Sequence, residues 1–164
     1  MLFRSESGSQ VKVRWEEIKA QERQESGSAT PKTLLSGIAP ALPALLRAYH
    51  IGIRAASVGF EWHTTRDVVA KIQEEVDELK EVVDAPGPID RARAEEEMGD
   101  LLFSIAQLSR RLGIEPETAL RRADDKFTTR FGRLEQSVAG SGRAMKETPL
   151  EELEAEWQRL KRIT

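Results

Sequence analysis

An all-α domain of four to five core helices is what this sequence predicts, on three observations. Apolar residues recur at helical spacing through five consecutive segments. No segment shows the strict apolar–polar alternation of a half-buried strand. Prolines and clustered small polar residues fall between the periodic segments and not within them.

The elements follow in order. Val11 to Gln24 predicts a short, strongly charged helix whose apolar side is only Val11, Trp15 and Ile18. The Ser-, Gly- and Pro-rich stretch ESGSATPKT then predicts a linker, so residues 1–36 are expected to form an arm and residues 37–164 the domain. A first core helix starts near Pro43, tolerated in a first turn, carries Leu46, Tyr49, Ile53 and Ala56 on one side, and is capped near Gly59. The connection FEWHTTRD follows, with Thr65 as a candidate N-cap. The next helix, about 66–83, bears Val68, Ile72, Val76, Leu79 and Val83; the prolines and glycine of DAPGPIDRA end it. A helix over about 92–112 bears Ala94, Leu101, Ile105, Leu108 and Leu112 and stops at Gly113. Another begins at Pro116 with Leu120, Ala123, Phe127, Leu134 and Val138, and AGSGRAMKE closes it as a loop. The last opens on TPLEE, read as a capping box with Thr148 at the N-cap, Pro149 at the first helical position and Glu151 three residues after the cap.

Composition narrows the function classes. Of 164 residues, 39% are hydrophobic and 32% charged, too apolar for a disordered chain and right for one domain plus an arm. Net charge is −3 and the 25 basic residues are dispersed, unlike the basic patch of a nucleic-acid binder. The absence of cysteine removes disulfides, thiolate catalysis and Cys-ligated zinc, and fits a cytoplasmic protein. No apolar run approaches the roughly 20 residues that span a bilayer, and MLFRSESGSQ lacks the apolar core of a signal peptide. AGSGR lacks the spacing and preceding strand of a phosphate-binding loop.

The acids carry the chemistry. On a helical wheel, Glu75 lies inside the apolar arc, within roughly 60° of Val68, Leu79 and Ile72. Lys71 and Glu78 sit just off that arc, and Glu74 is roughly 100° away. The following helix repeats the arrangement: Glu97 lies beside Leu108, Leu101 and Ala94, with Asp100 roughly 60° off the same edge. If the two helices pack antiparallel, as a short connection favours, Glu75, Glu78, Glu97 and Asp100 converge. Such carboxylates must be protonated, paired with cations or bound to metal. An all-oxygen set without His or Cys suits a hard ion, magnesium or manganese. The competing explanation of any one acidic run is a solvated face with i,i+4 ion pairs.

Glu74-Glu75-x-x-Glu78, then Glu97-x-x-Asp100 within EEEMGDLLF, resembles the MazG nucleoside triphosphate pyrophosphohydrolases. VGFEW, RRADDKFTTRF and EAEWQRLKR resemble the carboxy-terminal catalytic domain of that family, and RWEEIKAQER and ALPALLRA the segment preceding it. The resemblance implies a MazG-like helical bundle completed by homodimerisation. It implies Mg2+-dependent hydrolysis of (deoxy)nucleoside triphosphates to monophosphate and pyrophosphate, with Mn2+ as a substitute ion. It implies metal ligation by Glu75, Glu78, Glu97 and Asp100, and substrate contact at Lys71, Glu96, Lys126, Arg130 and Trp157. Each role has a plainer counterpart. Glu74 either orients or deprotonates the attacking water, or pairs with Lys71. Lys126 and Arg130 either clamp phosphate or pair with Asp125 or Glu135. Trp157 either stacks on a base or packs in a core or dimer interface. The alternatives to a general MazG activity are a related all-α pyrophosphohydrolase restricted to dUTP, dCTP or modified nucleotides, and a catalytically silent nucleotide-binding dimer.

Overall fold

The computed structural model describes residues 33–162. The helix expected at Val11–Gln24, and all but the last four residues of the expected arm, lie outside them. Five α-helices follow: α1 (Ala44–Ala56), α2 (Thr65–Asp84), α3 (Arg91–Arg111), α4 (Pro116–Gly140) and α5 (Leu150–Lys161), with a 3-10 turn at Met145–Glu147 before α5. The described residues contain no strand, and none of their helices is long and apolar enough to cross a membrane.

The helix ends have local causes. Thr64 caps α2 in a reciprocal box: its hydroxyl accepts from Asp67 N at 3.2 Å, and Asp67 Oδ2 accepts from Thr64 N at 2.7 Å. The cap falls one residue before the expected Thr65. Asp90 caps α3 through Ala92 N and Arg93 N, and Glu115 caps α4, with Pro116 in the first turn. Gly113 takes φ 70° just past α3, the left-handed turn that glycine adopts without strain. The capping box expected at Thr148 is not formed. Pro149 is the N-cap of α5 and offers no side-chain bond; the Thr148 hydroxyl donates instead to Ala144 O at 3.0 Å. The 3-10 turn leading into α5 brings that carbonyl within reach, and a threonine hydroxyl takes the local backbone acceptor it meets.

Packing divides into two parts. In the first, α1, α2 and α3 lie together, α2 and α3 as an antiparallel hairpin: Glu81 faces Arg93 beside the connection, and Glu61 faces Arg110 and Arg111 at the open end. Its buried apolar residues are small, Val68 and Val82 on α2 and Ala106 on α3. The buried residues of α3 are Ser104, Ala106 and Gln107, not the expected stripe, of which Ile105 and Leu112 are 41% and 57% exposed. The reason is that α3 packs against α1 as well as α2, so its buried arc is turned toward polar Gln107. Gln107 Nε2 donates to Ala48 O at 2.8 Å and its Oε1 accepts from Arg110 Nε at 3.2 Å. In the second part, the end of α4 and α5 bury Leu134, Val138 and Leu160, flanked by Met145, Leu153 and Trp157. Glu156 joins these helices: the Arg159 guanidinium and the Ser137 hydroxyl hold its carboxyl down at about 2. Between the two parts, residues 118–129 of α4 are exposed throughout, although Leu120, Ala123 and Phe127 were expected to be core.

Two outcomes follow from this packing. A Cβ at Gly52 would overlap the buried Gln107 amide and crowd Arg110. Gly52→Ala gains about 1 kcal/mol of helix propensity and loses more, about 1–3 kcal/mol for overpacking plus a similar sum for the displaced amide bonds; urea denaturation will show lower stability. Glu61 is held below its ordinary value of 4.5 by hydrogen bonds from Arg110 and then Arg111. A depressed carboxylate contributes stability that is present above pH 4.5 and lost as pH falls through the folded-state value. The stability difference between the native chain and Glu61→Gln, measured by denaturation, will therefore be largest at neutral pH and shrink below pH 4.5.

Candidate metal and nucleotide site

The hairpin of α2 and α3 brings acids from both helices together. Glu75, Glu97 and Asp100 each offer a carboxylate oxygen, and the three atoms lie within 4.8 Å of one another. Glu75 is only 3% exposed. Its Oε1 is 2.8 Å from Lys71 Nζ, while its Oε2 is buried without a hydrogen-bond partner among the described residues. Glu97 is mostly buried at 14% side-chain exposure, with Arg93 Nε 3.6 Å away; Asp100 is exposed. Glu78 stands beside them: desolvation, then the charges of Glu97 and Glu75, push its carboxyl above the ordinary range. Lys71 bridges Glu74 and Glu75 at 2.8 Å each, and those bonds raise its pKa.

The remaining expected residues fall in three places. Glu74 is exposed and paired with Lys71, the plainer of its two readings; Glu96 is exposed on α3. Arg130 and Trp157 belong to the α4–α5 part, and Lys126 lies on the exposed stretch of α4 between the two parts. Arg130 lies over the Trp157 ring at 5.3 Å, and its Nε is buried without a hydrogen-bond partner among the described residues. Trp157 also meets Phe127 at 5.2 Å and flanks the α4–α5 core. A cleft of about 210 Å³ opens there, lined by Phe127, Phe131, Leu150, Leu153, Glu154 and Trp157 among others. Among the described residues, neither Lys126 nor Arg130 pairs with Asp125 or Glu135, and neither is ion-paired to the acids of the hairpin.

Arg93 went unremarked in the sequence. It reaches Glu97 on its own helix and Glu81 on α2 at 3.5 Å, and its i,i+4 spacing before Glu97 was the available signal. The tie of Glu61 to Arg110 and Arg111 joins residues 49 and 50 apart in sequence, so no local pattern marks it.

The donor set fits a hard divalent cation. Three carboxylates from two helices converge, and one buried oxygen lacks any other partner, an arrangement that costs free energy unless a cation answers it. Fold and site thus define a class: an all-α domain with an acidic cluster built across a helical hairpin. Residues 63–133 match the MazG nucleotide pyrophosphohydrolase domain. The chain is 43% identical over 158 residues to the nucleoside triphosphate pyrophosphohydrolase of Escherichia coli K12, covering 96% of this chain and 59% of that protein. It is 42% identical over 147 residues to the nucleoside triphosphate pyrophosphohydrolase/pyrophosphatase MazG of Thermotoga maritima, covering 90% of this chain and 54% of that protein. The chain thus spans little more than half the length of these curated relatives.

A cation bound at about 100 times its Kd raises stability by about 2.7 kcal/mol. Calorimetry in Mn2+ against EDTA will show a higher melting temperature in Mn2+, with a smaller increment in Asp100→Asn. A melting temperature indifferent to Mn2+ would mean that these acids hold no cation.

Proposed function

We propose that residues 37–164 form a nucleoside triphosphate pyrophosphohydrolase domain that converts (deoxy)nucleoside triphosphates to monophosphate and pyrophosphate. The observation that carries the reading is the convergence of Glu75, Glu97 and Asp100 with one Glu75 oxygen unpartnered; the names of the two relatives support the activity. Glu75, Glu78, Glu97 and Asp100 would hold Mg2+, for which Mn2+ substitutes. When bound, the ion screens the triphosphate from the acids and makes a coordinated water more acidic.

The chain's own groups do the rest. Lys71 fixes the Glu74 and Glu75 carboxylates against each other. Glu74, exposed on the same turn, orients water and takes its proton. The water oxygen bonds to the α-phosphorus, the bond from that phosphorus to the bridging oxygen breaks, and pyrophosphate departs with the electron pair. Lys126 and Arg130, four residues apart on α4, hold phosphate oxygens. The unpartnered Arg130 Nε supports this role. Trp157 offers a ring to the base, and Glu96 contacts substrate from α3.

We further propose that the working unit is a homodimer. Met98, Leu102 and Ile105 on α3 and Val76 and Val83 on α2 are 39–54% exposed, an apolar surface suited to a second copy. With nucleoside triphosphates as substrates, this reading implies a cytoplasmic protein that acts on the nucleotide pool.

Glu97→Gln removes a ligand charge while keeping side-chain size. Its circular dichroism will match the native chain, and its pyrophosphate release with Mg2+ will fall by about 100-fold or more, the upper range seen when groups that merely orient metal ligands are lost. Full activity in this variant, or orthophosphate as the first product, would contradict the proposal.

A further inference from the structure

Helices α2 and α3 are joined covalently at one end only, through residues 85–90. At the other end the hairpin is closed by a polar tie. Glu61 Oε1 accepts from Arg110 Nη2 at 2.5 Å and lies 2.9 Å from Arg111 Nη1. Arg111 also donates to the carbonyls of Trp62 and His63, both at 3.3 Å. Those carbonyls immediately precede Thr64, the cap of α2. Arg110 is in turn braced by Gln107, which reaches the α1 backbone at Ala48. One polar chain therefore runs from α1 through α3 to the first turn of α2.

We propose that this clamp positions the acid cluster: Glu61, gripped by Arg110 and Arg111, sets the register and rotation of α2 against α3, and so the geometry in which Glu75 meets Glu97 and Asp100. The proposal rests on reading those acids as a cation site. Glu75 stands eleven residues along α2 from Thr64, roughly 16 Å at 1.5 Å per residue, so the tie acts through the helix and touches no ligand. A slip of one residue moves each side chain 1.5 Å along and about 100° around the axis, whereas metal ligands must sit within about 0.2 Å of their bonding distance. Apolar packing is a weak register mark here. The buried apolar residues between these helices are Val68, Val82 and Ala106, which lack the deep interlocking of larger side chains. The connection fixes one end, and Glu81–Arg93 beside it is an exposed pair at 3.5 Å of little energetic weight. The open end is fixed by the clamp, whose side chains are 24% exposed or less for Glu61, Arg110 and Arg111.

The test is titration of the whole chain with Mn2+, well below its melting temperature, alongside steady-state pyrophosphate release. Glu61→Gln keeps the side-chain size and removes the charge. It is expected to bind Mn2+ about tenfold more weakly, the lower end of the cost of losing groups that orient ligands, with kcat falling by more than KM rises. Arg143→Gln is the control. It breaks the exposed 2.6 Å pair with Glu152 in the α4–α5 part, a surface pair of little energetic weight, and is expected to keep native Mn2+ affinity with near-native stability. Should Glu61→Gln not fold, Arg111→Gln, which leaves the Glu61–Arg110 pair in place, is expected to shift Mn2+ affinity in the same direction. Native Mn2+ affinity in a folded clamp variant, even one with a lowered melting temperature, overturns the proposal, since the clamp then serves stability alone. A native chain that binds no Mn2+ sinks the reading of the acids themselves, and this proposal with it, before any clamp variant is measured.

Discussion

Everything in this protein turns on the carboxylate of Glu75. It is buried, one oxygen is satisfied by Lys71, and the other has no partner. An ionised oxygen in that position costs free energy unless a cation or a proton answers it. Glu97 and Asp100 arrive from the neighbouring helix within 4.8 Å, which deepens the negative potential instead of relieving it. A high-charge ligand at that point would relieve the deficit. A hard divalent ion is the ligand whose chemistry matches an all-oxygen set.

The molecule around the cluster is built to hold two helices in fixed relation. Its buried apolar residues are few and small on α2 and α3, and its polar ties are long-range: Gln107 to the α1 backbone, Glu61 to Arg110 and Arg111, Leu45 N to Glu117. The α4–α5 part has its own small core and carries Arg130 and Trp157 away from that packing. Between the parts, the middle of α4 lies bare, with Phe127 56% exposed. The proposed site is distributed over two packed parts, with apolar side chains open between them, which makes chemical sense when a further molecule, nucleotide or second copy, joins the two.

Much of this was legible in the sequence because the informative features are periodic. The 3.6-residue spacing located α1 to α5 within a residue or two, and proline and glycine marked most ends; the acidic caps Asp90 and Glu115 emerged only from the structure. The offset of Glu75 within its own apolar arc could be read from a wheel, and the structure buries that residue as the offset requires. The exposed side of α3 was misjudged because a wheel ranks faces by apolarity. Here the buried face holds Gln107, a polar residue whose partner, the Ala48 carbonyl, is 59 residues away in sequence. The Thr148 box failed for a related reason: the motif was present, but a 3-10 turn offered the hydroxyl a nearer acceptor. The Glu61 clamp was invisible because its members share no local period. Long-range polar pairing is what a single sequence conceals.

The most direct measurement is anomalous diffraction from crystals grown with Mn2+. A manganese peak bonded to carboxylate oxygens of Glu75, Glu97 and Asp100, at about 2.0–2.2 Å and with the second oxygen of Glu75 among its ligands, is what the account predicts. Manganese bound only elsewhere, with Lys71 still the sole cation on Glu75, would contradict it.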